Sequence, residues 1–364
     1  MSPFYLRVST PGRVCLFGEH QDYLSLPVVP CAISVRIQME GTVRRDRVAH
    51  IDLPDIGSSE SFTLGEQLAY TGSRDYFRSS VNVLLRKGFT FSTGCDCTVR
   101  GNIPINSGTS SSSALIVTWL GFLARISDQR RVLSPFEVAT LAHEAEVLEF
   151  GEPGGMMDHF STAFGGVLAI DFHPKLQVQE IPVVLGPLVL GDSKQPKDTT
   201  AILSRVKMGV VQAVNRLQDR YPDFSLHTAD AETIRRVAPD LTGEERELLL
   251  GTIRNRDITR EARELMCHQP LNHRGLGELL SQHQTILRDV LKISTPKIDR
   301  MIEMAMEAGA FGAKINGSGG GGCMFAYAPD SHEKVAEAIE RAGGSAIVVK
   351  TDEGTRMEIM QADD

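Results

Sequence analysis

Three stretches of the chain combine residue types at spacings that can do chemistry. The first is Pro104-Ile105-Asn106-Ser107-Gly108-Thr109-Ser110-Ser111-Ser112-Ser113-Ala114, a turn glycine followed by four serines that run into an apolar segment. A helix starting there would present free N–H groups and the positive end of its dipole, which suit phosphate, with serine hydroxyls as extra donors or cation ligands. A serine-rich helix cap is the plainer reading. The stretch lacks the GxxxxGK[ST] pattern, so an ordinary P-loop is excluded. The second is Asn316-Gly317-Ser318-Gly319-Gly320-Gly321-Gly322-Cys323, where five of eight residues are glycine. It reads as a second anion-cradling loop, or as a flexible linker. The third runs from Pro11 to Tyr23 and places Arg13, Glu19, His20 and Asp22 within ten residues around Gly18. Adjacent Glu19 and His20 make a poor metal site. Carboxylates that accept from vicinal hydroxyls, beside His and Arg donors, make a good polyol site. A solvated charged turn is the alternative.

Local patterns supply the elements that must hold these stretches. Strand alternation appears at Ile33, Val35, Ile37 and Met39 and again at Cys95, Cys97 and Val99. A helix is predicted from Asp75 to Arg86, closed by Gly88, and a buried one from Ala114 to Ile126. Ser134-Pro135-Phe136-Glu137 is a capping box that opens a helix through Leu141, Ala145 and Leu148. Gly166 to Phe172 reads as a short strand. Further on, Leu276, Leu279, Leu280, His283, Leu287 and Leu291 keep helical spacing. Thr295-Pro296 opens another helix that stops at Gly309, and strands follow at Cys323–Ala328 and Ala346–Lys350. Strands and helices do not alternate regularly, so the pattern predicts α+β layers rather than a doubly wound sheet. The prolines and glycine of 182–187 mark the expected boundary between two domains.

The whole-chain numbers fit that picture. The 364 residues suit two domains or one large one, and 41% hydrophobic with 23% charged residues is the composition of a globular protein. The net charge of −8 disfavours nucleic acid or an anionic membrane as the main partner. No stretch approaches the ~18–20 apolar residues of a membrane span, and the N-terminal residues lack a secretory pattern. Six scattered cysteines do not form a disulfide framework. Cys95 and Cys97 are expected to be buried, reduced thiols rather than zinc ligands. The cytoplasm is the expected compartment.

Taken in order, PGRVxLxGEHxDY, PxxxGxSSS and GxGGGGC resemble the GHMP kinases, a family that includes galactokinase, homoserine kinase, mevalonate kinase and phosphomevalonate kinase. Gly18-Glu19-His20-Gln21-Asp22-Tyr23 looks most like the Gly-Glu-His-Thr-Asp-Tyr of galactokinases. Glu146-x4-Gly151-x3-Gly155-x-Met157-Asp158 is similar to their Glu-x4-Gly-x3-Gly-x-Met-Asp. Cys15 and Leu24-Ser25 depart from the galactokinase pattern. Leu279 to Cys323 and Asp192 to Thr200 read more like mevalonate kinase. The resemblance implies a two-domain α+β fold: an N-terminal domain, 1–185, similar to the second domain of ribosomal protein S5, and a ferredoxin-like C-terminal domain, 186–364. It implies ATP and Mg²⁺ as cofactors and transfer of the γ-phosphate to a sugar hydroxyl, as in galactokinase. A mevalonate-type isoprenoid kinase and a non-catalytic sugar and ATP sensor are the alternatives. Asp158 would be the general base and Arg13 its partner. Ser112 and Glu146 would hold Mg²⁺, and Glu19, His20, Asp22 and Gly155 the sugar. Gly108, Ser110, Ser111, Ser112 and Ser113, with Gly317, Gly319 and Gly320, would cradle ATP. The partner is a small sugar, with no nucleic acid or membrane, and the state a monomer or homodimer. Asp171, His173 and His143 read as structural, and Lys194 and Lys197 are left open between substrate contact and solvation.

Overall fold

The structure is a computed structural model that describes residues 4–196 and 199–361. Six strands form the first sheet: β1 (Phe4–Phe17), β2 (Val29–Val43), β3 (Val48–Leu53), β4 (Ser58–Thr63), β5 (Cys95–Gly101) and, from the far end of the chain, β12 (Arg356–Gln361). Their order is β12-β1-β2-β5-β3-β4, antiparallel except for the β3–β5 pair. Helices α1 (Tyr76–Arg86), α2 (Ser111–Ile126), α3 (Pro135–His143) and α4 (Met157–Phe164) belong to this layer. The hairpin of β6 (Leu168–Asp171) and β7 (Gln177–Glu180) follows, and residues 181–187 lead out of it.

A second sheet begins at Leu188. It consists of β8 (Leu188–Asp192), β9 (Gly312–Ile315), β10 (Cys323–Tyr327) and β11 (Ser345–Val349), in the order β11-β8-β10-β9 and wholly antiparallel. Helices α5 (Thr199–Arg220), α6 (Ala231–Val237), α7 (Gly243–Met266), α8 (His273–Asp289), α9 (Pro296–Glu307) and α10 (His332–Arg341) complete it. Because β12 pairs with β1, the first sheet is closed by a strand from beyond residue 185.

Local chemistry starts the helices where the sequence predicts. Asp75 accepts from the Arg78 N–H and caps α1, Ser134 and Glu137 form a reciprocal capping box on α3, and Thr295 caps α9 ahead of Pro296. The segment expected to remain helical through Leu148 does so with a change of winding: α3 ends at His143, and Glu144–Leu148 is a π-helical turn. Helix α2 is apolar around most of its circumference because it is enclosed. Trp119, Leu120, Phe122 and Leu123 are buried, and the Trp119 indole donates to the Phe77 carbonyl at 3.1 Å. Burial of each such side chain stabilises by ~1.5–3 kcal/mol. β1 and β2 are covered on both sides. Val8 and Met39 pack with α2, while Val14, Leu16 and Ile33 share a second core with Leu280 of α8 and Phe325 of β10. The two layers are therefore locked along these central strands. Cys95 and Cys97 are buried, as expected, and form no disulfide among the described residues. No described helix is long and apolar enough to cross a membrane.

Candidate active site

Arg13 lies on β1, and its guanidinium reaches α4 145 residues away. Nε donates to Oδ1 of Asp158 at 2.8 Å and Nη2 to Oδ2 at 2.6 Å, a bidentate pair. Nη1 donates to the Gly108 carbonyl. One cation thus joins the candidate base to the serine loop. The Arg13 side chain is 4% exposed and that of Asp158 30%, so the carboxylate is the cleft-facing member. Burial alone would raise the Asp158 pKa, but the charge and hydrogen bonds of Arg13 outweigh it and hold the group below the usual carboxylate range.

The serine loop is shaped by backbone conformations that bring N–H groups to the cleft. Gly108 has φ +91° and Ser110 φ +61°, both left-handed. The α2 ladder starts with the bond from the Ala114 N–H to the Ser110 carbonyl, so the N–H groups of Ser111, Ser112 and Ser113 stand ahead of it. Above them is Glu146 on the π-helical turn. Its Oε2 accepts from Ser113 Oγ at 2.7 Å and from His159 Nε2 at 2.8 Å. Burial pushes the Glu146 pKa up, but His159 and the hydroxyls of Ser112 and Ser113 bring it below the ordinary value. Glu146 and Ser112 offer only oxygen, the donor set of a hard divalent cation. Among the described residues no group of three or more His, Cys, Asp or Glu is placed to hold a metal alone. A cation here would take its remaining ligands from phosphate and water.

Asp22 sits under the same cleft. It accepts from the N–H groups of Tyr23 at 2.9 Å and Met157 at 3.2 Å, the latter at the start of α4. Burial, then the neighbouring Asp158 charge, raise its pKa to about 6 against these bonds. Gly155 serves this carboxylate: a Cβ at that position would lie 2.1 Å from an Asp22 oxygen. The glycine makes room for Asp22.

Four of the expected site residues are held by contacts within the protein. Glu19 and His20 border the cleft, but their polar atoms are engaged by the protein. Glu19 Oε2 is paired with Lys314, which is fully buried and also donates to the carbonyls of Cys15 and Ile315 at 2.9 Å. Glu19 Oε1 accepts from the Gly317 N–H at 3.0 Å. His20 Nδ1 meets the Tyr23 hydroxyl at 2.7 Å and Nε2 the Ser318 carbonyl at 3.0 Å. Gly319 and Gly320 do not line the cleft. An added Cβ would meet Ile293 at 2.6 Å and Ile202 at 2.1 Å, and the Gly320 N–H is taken by the Ile293 carbonyl. The glycine loop is therefore a clamp on the serine loop. Asn316 Nδ2 donates to the Gly108 carbonyl at 2.8 Å and the Cys323 N–H to the Ser107 carbonyl at 2.7 Å, while Gly317 lets the two backbones touch.

Lys314 and His159 carry no role in the sequence reading. A lone lysine in an apolar strand before the glycine loop was the signal for the first, and adjacency to Asp158 for the second. His143 stands edge-on to His159, with centroids 5.5 Å apart, and burial and that neighbour lower its pKa to about 4. Asp171 pairs with Arg263, and His173 stacks on His227. Lys194 is exposed and does not line the cleft, and Lys197 lies outside the described residues.

Lys314→Met should destabilise the fold by about 3–5 kcal/mol, because it strands the Glu19 charge in the interior. Adding Glu19→Gln should recover much of that loss. Urea midpoints of the single and double variants check this. A single variant that unfolds like wild type removes the pair as a joint between layers.

Comparisons with known proteins bear on the same residues. Residues 75–166 match the GHMP kinases N terminal domain and 262–345 the GHMP kinases C terminal family. Residues 3–41, which include Arg13 and Asp22, match the galactokinase galactose-binding signature. Similar relatives include the mevalonate kinase of Thermococcus sibiricus, 28% identical over 96% of this chain and 97% of that one. The galactokinase of Mannheimia succiniciproducens is 30% identical over 91% and 87%. Among solved structures, Lactococcus lactis galactokinase complexed with galactose superposes with TM-score 0.85 at 22% identity, covering 97% of this chain and 95% of that chain. Methanococcus jannaschii mevalonate kinase gives 0.72 at 18%, covering 95% and 98%. With both domain families matched in order, relatives spanning nearly the full length, and the same two-layer fold, this chain belongs to the GHMP kinase family.

Proposed function

We propose that this GHMP kinase transfers the γ-phosphate of ATP to a hydroxyl of a sugar, with galactose or an aldose sharing its axial hydroxyl as acceptor. The observation that carries the reading is Asp22, a half-buried carboxylate on the cleft floor next to the Arg13–Asp158 pair. A carboxylate there accepts from vicinal hydroxyls of a neutral polyol and repels an acid such as mevalonate. The galactose-binding signature over residues 3–41 supports it. The full-length similarity to mevalonate kinases supports the second reading, an isoprenoid acceptor.

In this mechanism the N–H groups of Ser111, Ser112 and Ser113 bind the phosphates. Glu146 and Ser112 would hold the Mg²⁺ that accompanies ATP, which supplies charge neutralisation on the phosphate oxygens. Asp158 accepts the proton of the attacking hydroxyl, and Arg13 keeps it ionised and aimed. Phosphoryl transfer is mostly positioning and charge compensation, so a weakly basic, well-placed carboxylate suffices. An intact Arg13–Asp158 pair with Glu146 held in place favours a working enzyme over a sensor.

An ADP-release screen over galactose, arabinose, galacturonate, glucuronate, mannose-type heptoses and mevalonate tests the reading. Turnover with a neutral aldose is expected. Turnover with mevalonate alone overturns it, and ATP binding without turnover on any acceptor makes the protein a sensor. Ser112→Ala and Glu146→Ala should each raise the Mg²⁺ concentration for half-maximal rate by ~10-fold or more. Unchanged Mg²⁺ titrations in both would exclude these residues from the cation site.

A further inference from the structure

Successive residues of the first turn of α4 hold two different partners. Asp158 is clamped by Arg13 from β1, and His159 is bonded to Glu146 on the π-helical turn. The His159 side chain is 2% exposed, and its Nδ1 is buried without a hydrogen-bond partner among the described residues. A buried polar atom left unpaired costs roughly 1–3 kcal/mol, so an imidazole here calls for a reason that an apolar ring would not meet. Its ring stands edge-on to His143, and its Nε2 bonds to Oε2 of Glu146. An ionised carboxylate only accepts, so Nε2 carries the proton and donates. Ser113 Oγ donates to that same oxygen. Both of these bonds converge on Oε2, and the Ser112 hydroxyl also bonds to the Glu146 carboxylate, so Ser112 and Glu146 stand together at the cleft.

We propose that His159 is a positioning residue: its Nε2–H fixes the rotation of the Glu146 carboxylate so that Oε1 is presented to the divalent cation bound with the nucleotide. Because Asp158 and His159 share one helical turn, the same backbone also sets the distance between the proton acceptor and that cation. The inference rests on Glu146 being a cation ligand, and the experiment separates the two claims.

The measurement is Mn²⁺ binding to the full-length protein in the presence of ADP, read from the electron paramagnetic resonance signal of free Mn²⁺. His159→Met fills a similar length without a donor and should weaken Mn²⁺ binding by ~10-fold or more, the usual effect of losing a partner that orients a ligand. His159→Gln replaces the donor at a similar reach and should restore most of it. The Mg²⁺ concentration for half-maximal rate should follow the same order, with the acceptor KM unchanged. If His159→Met does not fold, His159→Asn, whose amide is too short to reach Glu146, takes its place. Wild-type Mn²⁺ binding in the variant without a donor, or His159→Gln no better than it, overturns the role of His159. Wild-type Mn²⁺ binding in Glu146→Gln overturns the cation reading itself.

Discussion

Asp158→Asn should lower kcat by roughly 10²–10⁴-fold, the range for loss of a general base, while ATP and acceptor still bind. The amide keeps the shape and loses the proton affinity. It also releases Arg13, whose Nε and Nη2 now close on the two carboxylate oxygens. The two contributions separate with Arg13→Met. Without its cation Asp158 remains a half-buried carboxylate beside Asp22, so its pKa rises. The ionised, proton-accepting form then disappears at higher pH than in wild type, and the acid limb of the kcat profile moves upward. Asp158→Asn should show no such limb from this group. If Asp158→Asn turns over within a factor of a few of wild type, the proton goes elsewhere and Asp158 only anchors Arg13.

What the sequence made legible was local. Caps at Asp75, Ser134 and Thr295, the serine run into α2 and the alternation in β2 and β5 are all written within a few neighbouring residues. The pairings that turn these elements into a site are long-range. Arg13 and Asp158 lie 145 residues apart and Glu19 and Lys314 295 apart, and no periodicity links them. The resemblance to a known family supplied the first pair and missed the second. Chemistry by residue type did not reveal the internal partners of Glu19 and His20. Both can read a sugar hydroxyl, but packing against β9 and the glycine loop engages their polar atoms first. The glycines 319 and 320 have internal neighbours that spacing did not report either. Their φ values are positive, and an added Cβ would meet Ile293 and Ile202. The π-helical turn that places Glu146 is a one-residue change of winding inside a helical pattern, which side-chain spacing does not report.

Asp22→Ala should reduce kcat/KM for the sugar by roughly 10²-fold or more and leave ATP binding intact, since a charge-assisted bond is worth about 1.5–3 kcal/mol and one carboxylate can accept two. Its raised pKa adds a signed test. At neutral pH Asp22 is ionised and accepts from hydroxyls. As pH falls through about 6 it gains a proton, loses acceptor strength, and the KM of a neutral sugar rises. Asp22→Asn, which cannot titrate, should lose that rise while retaining the limb that belongs to Asp158. An anionic acceptor reverses the sign. Protonation of Asp22 would remove a repulsive charge from the cleft floor, so mevalonate would bind better on the acid side, down to the point where its own carboxylate titrates. The slope of acceptor KM between pH 7 and about 5.5, compared between wild type and Asp22→Asn, thus separates the two substrate classes within one protein. A KM that is flat across that interval in wild type would mean that Asp22 does not touch the acceptor. The half-buried carboxylate would then serve only to hold the N-terminus of α4, through the Met157 N–H.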